Sequence, residues 1–320
     1  MAGTWASLLI PPVGCMFPPA VEPTTDQQAK IKLIEETFGA DGFVLPVSEG
    51  GSEKVALSER EMMFLSKETF IRFLAATKGD TAETIKRLEA ALIWRRSVSI
   101  EDVEAMAADC EPESRTGKNL VLGYSPHGQP VVYFFPNRNT TPVEQRRAIH
   151  AIFMLERARD LMVDGVTNVV AIFNFSGQRQ SQPTSISVAR TVIHILSAHY
   201  PENLSLGIFQ ALPWLVRSFI NLMWPLVDSA TKKKVRFDNN QARDIVVAGE
   251  LDQALLLKEC GGDLDMPYEH EEYWKALVET CLERRKIQDE LFKAGEKKVG
   301  RSEREWKKRD TSEKINSRIV

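Results

Sequence analysis

Apolar residues return every three or four positions through the first third of the chain, which is the spacing of one helix face. After a helix start at Thr25-Asp26, Ile31, Leu33, Ile34 and Phe38 fall on one side, and the run ends at the Gly39 to Gly42 turn. Over 58–76 the pattern resumes with Met62, Phe64, Leu65, Phe70, Ile71, Phe73 and Leu74. Asp80 then caps an amphipathic helix in which Ile85, Leu88, Leu92 and Trp94 face inward and Lys86, Arg87, Arg95 and Arg96 face water. These stretches predict a small helical lobe over 25–108. Residues 1–24 hold five prolines and no period, which predicts an extended arm.

Beyond 108 the period shortens. NLVLGY and PVVYFF flank SPHGQ as strand, loop and strand. A helix over 142–163 follows, with Ile149, Ile152, Met154, Leu155 and Leu161 apolar and Pro142 in its first turn. NVVAIFNF is continuously apolar, as a strand covered on both faces must be. The helix SISVARTVIHILSAHY then precedes a strand over 204–209. This alternation predicts an α/β domain with a mostly parallel sheet over 109–275. A last helix starts near His270, and from 282 to 320 there are 13 Lys/Arg against 8 Asp/Glu with no apolar period. That charge pattern predicts a solvated, fraying helix and tail over 276–320.

Composition narrows the function by exclusion. A net charge of −3 over 320 residues gives no overall attraction for nucleic acid, so an anionic partner must meet a local patch. Cys15, Cys110, Cys260 and Cys281 are scattered without CxxC spacing and read as reduced thiols of a cytoplasmic protein. No apolar run reaches the ~18–20 residues of a membrane span, so any membrane contact is peripheral. His127, His150, His194, His199 and His270 lie on separate elements, and His150 and His194 read as core or interfacial. No HExxH, Cys/His metal spacing, G-x-S-x-G, GxGxxG or Walker-type loop occurs, which points to a protein that is not an enzyme and holds no metal or cofactor.

One stretch stands out, residues 200–237. Its strand is followed by an almost wholly apolar segment over 212–227, interrupted by Arg217, Ser218 and Asn221, then by Asp228, Thr231 and Lys232 to Lys234. Local chemistry allows two readings: a core helix with a solvated charge run, or a site for a ligand with an oily tail and an anionic head.

The flanking motifs choose between them. IRFLAATKGDTAETIKRLEAALIWRR at 71–96 and SVARTVIHILSAHYPENLSLGIFQALPWLVRSFINLMWPLVDSATKKKVRF at 187–237 resemble the CRAL-TRIO family. So does Cys260-Gly261-Gly262-Asp263 with the Tyr268 to Trp274 segment. NTTPVEQRRAIHAIFMLERARDLM is similar to the fungal phosphatidylinositol transfer proteins of the branch linked to azole resistance.

The resemblance implies a helical lobe beside an α/β lobe whose sheet floors an apolar cavity under a gate helix. It implies a non-enzymatic carrier that exchanges phosphatidylinositol at membrane surfaces, peripherally attached at the endoplasmic reticulum, lipid droplets or cell periphery. Headgroup contacts carry over to Lys78, Glu202, Thr231 and Lys234. Trp214, Phe219, Met223 and Trp224 become gate and membrane contacts, and Val169, Ala171 and Phe173 the cavity strand. Ala75 and Thr77 stand where the motif has arginines, Ser229 where it has proline, and Asn203 and Ser205 where it has arginine and glycine. Val169 and Ala171 replace hydroxyl residues that serve choline lipids, which leaves room for a second hydrophobe. Two alternatives keep the same fold: a carrier of a sterol or haem, and a regulatory module with a vestigial cavity.

Overall fold

A computed structural model of the chain describes residues 4–20, 22–142, 145–163, 165–180, 185–226, 229–238 and 243–308. The helical lobe contains α2 (Thr25–Phe38), the hairpin β1 (Val44–Pro46) and β2 (Lys54–Ala56), α3 (Glu59–Phe64), α4 (Lys67–Ala76) and α5 (Thr81–Ser97). Thr24 and Gln27 form a capping box on α2, Ser58 and Glu61 another on α3, and Ser66 and Asp80 cap α4 and α5. Ile31, Ile34, Phe38, Phe70, Phe73, Leu88 and Leu92 form the core of this lobe.

Three expected faces change. Arg96 is held inward by Glu61, its side chain 11% exposed. Leu33 is 51% exposed, because 31, 34 and 38 already complete the buried stripe. Arg95 is 5% exposed, because two carboxylates from outside its own helix draw it inward.

The second lobe is built on a five-stranded sheet in the order β3 (Asn119–Tyr124), β4 (Pro130–Phe134), β5 (Val169–Asn174), β6 (Leu204–Gln210) and β7 (Val235–Asp238). Only β3 is antiparallel, so the expected mostly parallel α/β architecture holds. α6 (Val103–Ser114) enters the lobe, and α7 (Gln145–Leu161) and α8 (Ile186–His199) make the first two crossovers. α9 (Trp214–Met223) and α10 (Ser229–Lys234) make the third. Residues 143 and 144, in the first turn expected of α7, lie outside the described set.

Because strand order follows chain order, right-handed crossovers put all these helices over one face of the sheet. Asn119, cross-strand partner of Phe134, bonds His150 of α7 on that face, and Trp224 meets Phe237 at its other end. The opposite face takes Tyr133, whose hydroxyl accepts from the Leu257 amide, beyond α11 (Arg243–Val247).

Both termini depart from expectation. α1 (Trp5–Leu8) tucks Trp5 against Tyr268 and Tyr273, and Leu9 is fully buried, so part of the arm belongs to the core. The tail does not dissolve after α12 (His270–Lys293). Residues 294–308 return to the helical lobe, where the Gly300 amide donates to the Leu65 carbonyl and the Lys67 amide to Arg301. Trp306 is 2% exposed and Glu303 pairs with Lys307 at 2.6 Å. The tail charges are thus largely mutual partners within a packed segment.

Candidate functional site

The polar corner of the site lies where β6 and β7 begin. Thr231 and Lys234 are three residues apart on α10 and so share a helix face. Lys234 Nζ sits 2.6 Å from Glu202 Oε2, with the two side chains 25% and 34% exposed. Thr231 is half-buried and engaged, as Lys232 is half-buried and Lys233 exposed.

Glu202 has φ +57°, a left-handed conformation that costs a non-glycine residue about 1–3 kcal/mol. Among the described residues four non-glycines adopt positive φ: Lys78 in the α4–α5 turn, Ser99, Glu202 ahead of β6 and Ala211 at its far end.

Lys78 occupies the turn between α4 and α5. Its side chain is exposed and makes no ion pair with Glu202 among the described residues. The structure therefore joins two of the four expected headgroup residues directly. Thr77 hydrogen-bonds the Phe73 and Leu74 carbonyls and lies 2.6 Å from the Thr84 hydroxyl. It knots the α4–α5 turn and does not act as a shortened arginine.

The gate segment is shorter than its apolar run. Pro225 cannot continue a helix, so α9 ends at Met223 and a 3₁₀ turn, Trp224–Leu226, follows. Trp214, Leu215 and Leu222 are 77%, 57% and 71% exposed, whereas Val216, Phe219 and Ile220 are half-buried. The four expected gate residues thus divide: Trp214 points to water, Phe219 inward, and Trp224 onto Phe237 at 5.6 Å between centroids. The side chain of Met223 lies outside the described set. Burying each exposed gate side chain in an apolar phase would contribute about 1.5–3 kcal/mol.

The floor beneath the gate has a pattern that strand-by-strand reading missed. Register aligns Val132, Ala171, Gly207 and Val235 in one row and Phe134, Phe173, Phe209 and Phe237 in the next row on the same face. Phe134 stacks on Phe173 at 4.8 Å and Phe173 on Phe209 at 4.7 Å, with Phe237 5.7 Å further along. Of the expected cavity strand, Val169 and Ala171 are buried and Phe173 is half-buried in this row.

A signal was available in the repeated strand ending Phe173-Asn174, Phe209-Gln210 and Phe237-Asp238. The polar member of each pair faces the other way. Gln210 donates to Asp238 and to the Cys260 carbonyl, and Asn174 to the Glu259 carbonyl. That row ties down the Gly261-Gly262 turn, where a Cβ on Gly262 would lie 1.9 Å from the Leu256 carbonyl oxygen.

Behind the corner, Trp94 and Arg95 bolt the two lobes together, while Arg96 fastens α5 within the helical lobe. Trp94 stacks on His199 at 4.5 Å and 6°. Arg95 reaches Glu156 at 2.8 Å and Glu101 at 2.6 Å, Arg285 closes the web on Glu101, and Arg96 grips Glu61.

Burial alone would raise both web carboxyls. For Glu101 the guanidiniums of Arg95 and Arg285 outweigh that and bring it to about 2, and Arg95 and Arg159 hold Glu156 well below the usual range. Burial lowers His150 to about 3 and His199 to about 4. A histidine lowered from 6.5 stabilises the fold fully above that pH and loses its contribution as pH falls toward the folded value. A carboxyl lowered from 4.5 does the same below 4.5. Melting temperature should therefore be level above pH 7, decline from about 6.5 to 4, and fall faster below about 4.5. Melts across that range check this; His150→Phe should flatten the upper limb, and a curve unchanged between pH 7 and 4 would refute the assignment.

Among the described residues no cluster of His, Cys, Asp or Glu could hold a metal ion, and no helix is long and apolar enough to cross a membrane. A CRAL/TRIO domain matches residues 114–262, and a CRAL/TRIO N-terminal domain matches residues 27–90. A CRAL-TRIO domain-containing protein of Schizosaccharomyces pombe is 32% identical over 302 residues, 94% of this chain but 29% of that protein. The phosphatidylinositol transfer protein PDR17 of Saccharomyces cerevisiae is 30% identical over 287 residues, covering 84% of this chain and 80% of PDR17. The crystal structure of Sfh5 superposes with a TM-score of 0.54 at 15% identity, covering 82% of this chain and 99% of Sfh5, which is a likeness of fold. With both of its lobes matched in order and a relative aligned over most of both lengths, the chain belongs to the CRAL/TRIO family.

Proposed function

We propose that the chain is a lipid carrier that holds phosphatidylinositol and exchanges it between membranes without chemistry. The observation that carries this reading is the Glu202–Lys234 pair, set at the edge of an all-carbon floor and beside a gate helix that exposes Trp214, Leu215 and Leu222 among Arg217, Ser218 and Asn221. The ammonium suits a phosphate, the carboxylate accepts from inositol hydroxyls, and Thr231 adds a hydroxyl on the same helix face. Lys78, exposed on the α4–α5 turn, is the remaining candidate phosphate contact. PDR17, a phosphatidylinositol transfer protein by name, supports the lipid class.

Trp214, Leu215 and Leu222 enter the bilayer interface as the gate opens, which makes membrane contact peripheral. Transfer between two bilayers is close to neutral for the acyl chains, because each CH₂ contributes ~0.8 kcal/mol in the cavity as in the membrane. The four free cysteines suit a reducing compartment such as the cytoplasm. Purified protein should move labelled phosphatidylinositol from donor to acceptor liposomes; absence of transfer at every salt concentration tried would sink the proposal. Trp214→Ala should slow that transfer by about tenfold or more without lowering melting temperature, as loss of one interfacial anchor implies.

A further inference from the structure

We propose that the phenylalanine row Phe134–Phe173–Phe209–Phe237, closed at its end by Trp224, is a rib that selects acyl chains by shape. This rests on the reading of the chain as a carrier of glycerophospholipids. The stacking distances of 4.7 and 4.8 Å equal the spacing of neighbouring strands, so the rings stand as a continuous ridge across β4, β5 and β6. Two residues nearer the polar corner, about 7 Å along the strands, the row Val132–Ala171–Gly207–Val235 is low.

Gly207 is not demanded by the backbone. Its φ is not positive, and an added Cβ would meet Leu204 and Val235 side chains only at 3.4 and 3.7 Å, which is ordinary contact. What glycine does there is keep this row lower than the phenylalanine row, with Leu204 and Val235 closing over it. Lys234 precedes Phe237 by three residues, so the rib crosses the floor about 10 Å beyond the headgroup corner.

A lipid clamped at Glu202 and Lys234 therefore lays the first part of its chains along the low row and must lift the remainder over the ridge. A chain with a mid-length cis bend makes that step; a straight saturated chain has to bend at the cost of its preferred rotamers. Phe173 and Phe209 are half-buried and Phe237 is 40% exposed, with Trp224 of the gate turn against Phe237.

The test loads the full chain from vesicles holding equal amounts of dipalmitoyl, palmitoyl-oleoyl and dioleoyl phosphatidylinositol, then identifies the bound lipid by mass spectrometry. The wild type should be enriched in oleoyl chains over the vesicle pool by about threefold or more, a modest discrimination for a shaped apolar site. Phe209→Ala should bring the bound profile back to that of the pool. Phe209→Leu, which keeps an apolar side chain and guards against misfolding, should fall between them. Wild-type and variant profiles that match, with inositol lipid bound in both, overturn the rib as selector. Protein that loads no inositol lipid, or that co-purifies with a sterol instead, overturns the carrier reading beneath it.

Discussion

Arg95→Ala should lower unfolding free energy by about 3–5 kcal/mol, the cost of breaking a buried pair by removing one partner. The residue is 5% exposed and bridges two carboxylates from different parts of the chain, Glu156 on α7 and Glu101 ahead of α6. Burial by itself would make its guanidinium easier to discharge, yet the two carboxylates raise its pKa well above the ordinary value. Alanine would leave Glu156, 3% exposed, with Arg159 as its remaining ion-pair partner among the described residues, and Glu101 with Arg285. The seam between lobes should loosen first. For a chain of this size the change corresponds to a fall in melting temperature on the order of 10 °C. Denaturant titration gives the free energy directly. Arg95→Lys should recover part of it, since one ammonium cannot serve both carboxylates in a forked geometry. A loss below about 1 kcal/mol would mean that the web is solvated and behaves as a surface ion pair.

That arginine also shows where sequence reading stops. Helical periodicity located α5 and its cap correctly, because those depend on neighbours a few residues away. It assigned Arg95 to water because a single helix face cannot reveal a carboxylate 61 residues later in the chain. The charged tail failed in the same way: Arg301, Glu303 and Lys307 look solvated until α12 turns the chain back onto Ser66, Glu68 and Arg72.

Strand positions and the parallel sheet were legible from continuous apolar runs. The rib was not, since each phenylalanine is an ordinary strand residue until register sets four side by side. Glu202 and Lys234 were found only through motif resemblance. Their proximity, and the left-handed backbone at Glu202, belong to the folded chain.

Lys234→Ala should reduce phosphatidylinositol transfer by about ten- to a hundredfold, the equivalent of one lost hydrogen bond to a charged group at roughly 1.5–3 kcal/mol. Stability should barely move. Both members of the pair are partly exposed, so without lipid their attraction contributes at most about 1 kcal/mol. This contrast separates a headgroup site from a structural ion pair, which would lose stability and activity together. Glu202 allows a sharper version because its φ of +57° is strained for any residue with a side chain. Glu202→Gly removes the carboxylate and relieves the backbone, so the protein should melt at the same temperature or higher while transfer falls. Glu202→Ala removes the carboxylate and keeps the strain, so transfer should fall equally without the gain in stability. If both residues hold one headgroup, the double variant Glu202→Ala/Lys234→Ala should cost less than the sum of the single losses. Additive losses would place them in separate roles, and transfer that survives all three variants would leave the pair as a latch between α10 and the start of β6.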